Sequence, residues 1–497
     1  MRLSFAILFS LLPAILATPI HHQAGLAPLS TEGKTIDNSY IIVFKKDVSA
    51  AQLAIHLNAV QSLQSAHPLV GGDDGVTQVW APTKMNGFVG YAGKFSEDTL
   101  NEIRKSPEVA YVEMDQIVHT TDDVHGVDAP FMGSEIGVQK GAPWGLARIS
   151  HRDRLTFGTF NKYEYNTDGG EGVTAYVIDT GVNIKHVEFE GRARWGKTIP
   201  RNDQDVDGNG HGTHCAGTVA SGKYGVAKKA EIVAVKVLGS NGSGTMADVV
   251  SGVVWAAEDA AKRAALAARE LALTGKTKFK GSVANMSLGG GKARSLDEAV
   301  DAAVESGLHF AVAAGNDNKD ACDFSPAASK LALTVGASTI TDQRAYFSNH
   351  GKCVDIFAPG LNILSTWTGS REATNTISGT SMASPHICGL LAYLISIEGS
   401  DTFTMLAGPE EPEELIETPS SSVYGDAYQL LPEWAQMFLP DPDSEEVIEL
   451  SRSTNTPSKI TPRRLKKALI ALATPGKLSD LPPATINLLA FNNVTRS

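Results

Sequence analysis

The stretch Thr376-Ile377-Ser378-Gly379-Thr380-Ser381-Met382-Ala383-Ser384-Pro385-His386 starts in small hydroxyl residues and leads into an apolar run, 387–397. That run is long and periodic enough for a buried helix. Proline is tolerated in a helix's first turn, where its missing N–H has no intrahelical partner. Ser381 is therefore expected at or just before a helix N-terminus, where free amides and the positive dipole end favour a nearby negative charge. Gly379 leaves space for a tight turn. A serine in this position is either an N-cap or a nucleophile, and the rest of the chain has to decide between them.

Outward from that stretch, apolar strands are predicted at 172–179, 232–237, 281–286, 309–313 and 331–335. Helical segments at 211–221, 246–273 and 295–306 separate them. Continuous apolar strands alternating with helices imply an α/β fold with a doubly wound, mostly parallel sheet. Such sheets place their chemistry at the carboxyl ends of strands, and Asp179 and Asn316 both follow strands. Between Gly399 and Leu450 the chain carries thirteen acids and no Lys or Arg. Together with its prolines this makes about 399–457 a solvated insertion. A helix at 463–473 and a strand at 486–491 follow, so the insertion interrupts a domain spanning 141–493 without ending it.

Residues 1–17 pair one basic residue with a short apolar core and small residues at the end, the pattern of a secretory signal peptide. Strand, helix, strand, helix and strand patterns at 40–44, 49–64, 87–95, from 96 and at 108–112 describe a small ferredoxin-like α+β module over 40–119. Residues 120–140 are polar and without periodicity, an exposed linker open to proteolysis. The net charge of −12 lies almost wholly in the acidic block, so nothing suggests nucleic-acid binding. No later segment has the apolar length of a membrane span. Four cysteines allow one bridge plus free thiols, and the lack of a C-x-x-C pair argues against a thiolate zinc site.

Three motifs share the sheet domain: Asp179-Thr180-Gly181, Gly208-Asn209-Gly210-His211-Gly212-Thr213-His214, and the serine stretch. An alcohol is a poor nucleophile at neutral pH and needs a base within hydrogen-bond reach, a role that imidazole fits. The imidazole needs a buried carboxylate to fix its tautomer and stabilise its cation. Glycines flanking His211 would let substrate backbone approach. The Asn316 amide and the Ser381 backbone N–H are donors of the type an oxyanion needs. Singly, each motif has a plain structural alternative: Asp179 a turn cap, His211 a core histidine, and His214 most of all a core histidine. Together they run in the chain order Asp, His, Ser.

These motifs, with Gly210-His211-Gly212-Thr213-His214-Cys215-Ala216-Gly217-Thr218, Ala313-Ala314-Gly315-Asn316 and Gly141-Ala142-Pro143-Trp144-Gly145-Leu146-Ala147-Arg148-Ile149-Ser150, resemble the subtilase family of serine endopeptidases. Within it, the likeness is to the proteinase K branch and the fungal vacuolar, cerevisin-like proteases. The resemblance implies a zymogen that hydrolyses peptide bonds with broad, apolar-leaning specificity through an acyl-enzyme on Ser381, with Asp179 and His211 completing the triad and Asn316 in the oxyanion hole. It implies substrate strands at Asn241-Gly242-Ser243-Gly244 and Ser287-Leu288-Gly289, which would hold polypeptide as an added β-strand. It also implies that 40–119 is an inhibitory propeptide and chaperone, cut away between about 119 and 141. A disulfide between Cys322 and Cys353, a free Cys215, and a monomer needing no cofactor for catalysis follow from the same likeness. Asp355 matches a structural calcium ligand of proteinase K, although Lys330 replaces a nearby ligand-bearing proline. The destination is the vacuole or the exterior.

Three readings compete. A catalytically silent scaffold would bind without cutting, and the intact triad argues against it. The N-terminal module could act alone as a protease inhibitor. An α/β-hydrolase would need a second glycine where Ala383 stands, and its order is Ser, Asp, His. Asp203-Gln204-Asp205-Val206-Asp207-Gly208 imitates an EF-hand start, but His214 stands where the bidentate glutamate belongs. Among sequons at Asn241, Asn285 and Asn493, the first two fall on groove strands, leaving Asn493 as the glycosylation candidate.

Overall fold

A computed structural model describes residues 26–69, 75–81, 88–120, 123–124, 137–400, 402–404 and 460–494. The segment expected to be a signal peptide, most of the expected linker and nearly all of the acidic stretch expected as an insertion lie outside the described residues. The larger body is a nine-stranded sheet in the order Ala193–Thr198, Glu231–Lys236, Val173–Asp179, Gly281–Met286, His309–Ala313, Leu333–Ser338, Ile356–Pro359, Leu488–Leu489, Thr474–Pro475. Every pairing is parallel except the last. The strand expected at 486–491 is thus real but pairs over only two residues.

Parallel strands buried on both faces send alternate side chains to opposite cores. Ala175 and Val177 face a cluster with the helices His211–Ala220 and Thr380–Ser396. Tyr176 and Ile178 face one with Met246–Thr274 and Arg294–Glu305. The Thr380–Ser396 helix is buried along its whole length, as an all-round apolar segment requires. Cys322 and Cys353 form a disulfide with Cα atoms 5.3 Å apart, while Cys215 and Cys388 are free and buried. Burial pushes the Cys388 thiol up, which leaves it inert core packing.

The N-terminal module is a sheet ordered Leu29–Ser30, Val109–His119, Thr35–Phe44, Gly90–Lys94, Gly75–Trp80, backed by the helices Ala50–Ala66 and Glu97–Arg104. Ser49 and Gln52 close the first helix with a reciprocal capping box, and Ser96 caps the second. The strand Gly75–Trp80 was not anticipated. Its outer face is only half-buried, so the chain carries no apolar alternation there to mark it.

Pro385 also departs from expectation. The helix begins at Thr380, so the proline stands beyond the first turn and leaves the Ser381 carbonyl without its i+4 amide donor. Ser287 Oγ and Cys215 Sγ, 2.8 and 3.4 Å away, donate to that carbonyl instead. The break in the ladder is therefore satisfied from neighbouring elements, and both donors adjoin the serine.

Candidate active site

Asp179 ends the Val173–Asp179 strand, and His211 opens the His211–Ala220 helix. Asp179 Oδ1 accepts from His211 Nδ1 at 2.7 Å and from the Thr180 amide at 2.7 Å. Both side chains are fully buried. Burial pushes the Asp179 carboxyl up while His211 pulls it back, and their bond holds the imidazole in one orientation in a dry site. Cys215, one turn along from His211, comes within 4.8 Å of both ligand atoms and reaches the Ser381 carbonyl. The acid, the imidazole and the serine therefore share one corner. Ser381 Oγ donates to the Ser287 carbonyl at 3.1 Å. Behind it, Ser384 Oγ donates to Asn285 Oδ1, and Asn285 Nδ2 donates to Ser287 Oγ, both at 2.9 Å.

The glycines beside His211 serve packing, which corrects the expectation that they admit substrate. A Cβ on Gly212 would sit 2.1 Å from the Gly181 carbonyl and 3.1 Å from Asp179. Gly210 holds φ at 110° beneath Trp367, where other residues are strained. His214 is a satisfied core histidine, its Nε2 2.8 Å from the Ile363 carbonyl.

Sequence reasoning missed two buried residues that set this geometry. Asp207 Oδ1 accepts from Thr180 Oγ1 (2.9 Å), Asn209 N (3.0 Å) and Gly210 N (2.8 Å), and its Oδ2 accepts from Thr213 N (3.0 Å) and Thr213 Oγ1. Thr180 Oγ1 in turn accepts from Gly212 N at 3.0 Å. One carboxylate thus caps the His211 helix and ties it to the turn after Asp179. The other residue is Asn349, fully buried. Its Nδ2 donates to Ala314 O at 2.9 Å, and its Oδ1 accepts from the amides of Asp317 and Lys319 at 3.0 and 2.9 Å. These bonds grip the Asn316 loop from both sides. Asn316 Oδ1 accepts from Thr380 N and Oγ1 at 2.9 and 2.8 Å, which fixes the orientation of its amide beside Ser381. The signal for Asp207 was in the motif set aside as a false EF-hand, and Asn349 carried none.

The segments expected to hold substrate pair with the chain's own N-terminal module. Ser243–Thr245 pairs antiparallel with Ile117 to His119. His119 N donates to Gly289 O at 3.4 Å, and Thr120 N donates to Gly242 O at 2.9 Å. Asp123–Val124 pairs with Ile377 and Ser378, just before the serine helix. Val118 is fully buried in the cluster that includes Leu238, Met246 and Leu288. Farther back, Glu113 accepts from the Arg294 and Ser295 amides, and Asp115 accepts from the Ala247 amide. Two carboxylates of one strand thus cap two helices of the larger body.

Two expectations fit the residues poorly. Asp355 Oδ2 accepts from Lys466 Nζ at 2.9 Å, so the position expected to ligate calcium already faces a cation. Asn493 Nδ2, the atom a glycan would take, donates to Thr402 O at 2.7 Å.

A family model described as "Subtilase family" matches residues 170–424, and one described as "Peptidase inhibitor I9" matches 39–121. The chain is 52% identical to "Subtilisin-like serine protease Pen c 2" of Penicillium citrinum, over 97% of this chain and 95% of that protein. It is 50% identical to "Alkaline protease 2" of Aspergillus fumigatus, over 97% and 88%. A solved structure, "Crystal structure of a cold adapted subtilisin-like serine proteinase", aligns with a TM-score of 0.51 at 38% identity, covering 71% of this chain and 99% of that one.

Proposed function

The chain belongs to the subtilase family of serine proteases, and from that premise we propose that it cuts peptide bonds through Ser381, His211 and Asp179. The observation that carries this reading is the buried 2.7 Å bond between Asp179 Oδ1 and His211 Nδ1. It fixes the imidazole with Nε2 as the proton acceptor. His211 Nε2 takes the Ser381 hydroxyl proton as Oγ attacks the substrate carbonyl. The imidazolium formed is stabilised by Asp179 and then returns the proton to the leaving amine. The negative oxygen of the tetrahedral intermediate is held by the Asn316 amide and the Ser381 N–H. Water repeats the sequence on the acyl-enzyme. No cofactor takes part.

The N-terminal module is an intramolecular inhibitor, and its tail supports a definite first cut. Thr120 bonds to Gly242 in the groove, and Asp123 pairs with Ser378, three residues before Ser381. We place the first cleavage at one of the three bonds between Thr120 and Asp123, narrowing the 119–141 window. Substrate takes the same path as an added strand, and the buried Val118 site supports an apolar preference at that position. Because one chain supplies both groove and inhibitor, a monomer suffices. Among the described residues no helix is long and apolar enough to cross a membrane. The N-terminal apolar stretch and the disulfide support a secretory route, with the vacuole or the exterior as its end. The test is purified mature enzyme with an active-site phosphonylating reagent: labelling of Ser381 with loss of activity supports the reading, and full activity without labelling contradicts it.

A further inference from the structure

The oxygens around Asp355 already hold a cation that the chain supplies. Lys466 Nζ lies 2.6 Å from Ala332 O, 2.9 Å from Asp355 Oδ2 and 3.4 Å from Lys330 O. Two carbonyls and a carboxylate are hard oxygen donors of the kind calcium takes. We propose that the Lys466 ammonium stands in for a structural metal ion at this point, so that the Pro462–Leu472 helix, and no calcium ion, neutralises the Asp355 site.

The oxygens are held independently of the lysine. Asp301 Oδ1 accepts from Ser329 Oγ (2.6 Å), Lys330 N (3.1 Å) and Leu331 N (3.0 Å), which pins the loop. The Thr334 amide donates to Asp355 Oδ2 at 2.9 Å. The lysine lines a small cavity with Val304, Phe310, Leu331 and Leu333. Its methylenes therefore meet apolar walls while its charged head meets oxygen. The helix buries Leu465 and Leu469 in the core, with Ala468, Ile470 and Leu472 packed partly buried against it, and the lysine adds a polar clamp to that docking. Removing the ammonium would leave a carboxylate and two carbonyls converging on a partly buried point with no counter-charge, a place a divalent ion could enter.

The experiment uses the full chain carrying Ser381→Ala, which cannot digest itself while it melts, with and without Lys466→Met. Methionine keeps the apolar stem and deletes the charge. The quantity read is the change in Tm between excess chelator and millimolar calcium chloride, compared between the two proteins so that any site common to both cancels. In chelator, Lys466→Met should melt about 3–8 °C lower than its parent. Calcium should restore at least half of that loss beyond any rise it gives the parent. Adding Asp355→Asn should abolish the recovery. The proposal is overturned if Lys466→Met melts with its parent in chelator, or if calcium raises the parent as much as the variant. If Lys466→Met does not fold, Asp355→Asn alone decides. It should be destabilised and indifferent to calcium, and a calcium-induced rise in the parent that this variant lacks would refute the substitution of ammonium for metal.

Discussion

Asn316 is held by its acceptor end: Thr380 takes Oδ1 twice, which turns the donor end of the amide into the part that can serve a developing negative charge. Asn316→Ala should lower kcat about 10²–10³-fold with KM nearly unchanged, since the bond strengthens only in the transition state. Steady-state kinetics on a peptide substrate checks this, and a loss confined to KM contradicts it. Asn349 acts one step back, through the loop it grips. Asn349→Ala should also lower kcat, by about tenfold or more, because a small misplacement of a donor costs much of its effect. In the Asn316→Ala background the same change should cost little, whereas a purely structural role would give additive losses. The proposed triad and Asn316 stood out in the sequence because each sits in a motif whose residue types match one chemistry. Asn349 did not, since a loop asparagine reads as an ordinary turn former and its partners lie thirty or more positions away in sequence. Asp207 was seen only within a rejected EF-hand look-alike, so the helix amides its carboxylate serves went unread.

At the scale of elements, the serine helix depends on a repair. Pro385 denies the Ser381 carbonyl its helical partner, and Ser287 Oγ supplies the main replacement. Ser287→Ala should cost about 1–3 kcal/mol of stability, the range for leaving a buried acceptor poorly satisfied. Urea unfolding in the Ser381→Ala background measures it, and an unchanged midpoint refutes it. The helix expectation succeeded because an apolar run of this length has few alternatives. The rule that confines proline to the first turn failed because it ignores donors from outside the helix.

The capped helices carry a pH dependence. Burial raises Glu113, and it raises Asp115 to about 6. A carboxyl raised in the complex and ordinary in the free propeptide takes up a proton on binding, so its contribution favours the complex as pH falls and is lost as pH rises through about 6. The released propeptide should therefore inhibit the mature enzyme more tightly at pH 5 than at pH 7, by about tenfold from Asp115 alone. Asp115→Asn should remove that part of the dependence. Tighter inhibition at pH 7 would give the opposite sign and refute the assignment.

At the scale of the whole molecule, one strand, Val109–His119, serves two bodies. It lies within the N-terminal sheet, caps two helices of the catalytic body through Glu113 and Asp115, and carries its end into the groove. The alternation of strands and helices made the sheet order-of-magnitude legible, because parallel β–α units leave few other arrangements. The unforeseen Gly75–Trp80 strand faces the catalytic body, where Gln78 donates to Asp248 at 2.5 Å and Trp80 Nε1 to Ser251 at 2.9 Å. It is a docking edge, and a docking edge looks polar in sequence. The Lys466 clamp lay equally out of sight, because its partners stand more than a hundred positions before it.

The most direct measurement follows freshly expressed full-length chain by mass spectrometry and N-terminal sequencing, beside Ser381→Ala. The wild type should release a propeptide ending at Thr120, Thr121 or Asp122, and the alanine variant should stay joined across that segment. A variant that processes itself at the same bond and rate would contradict the proposal that Ser381 is the residue that cuts.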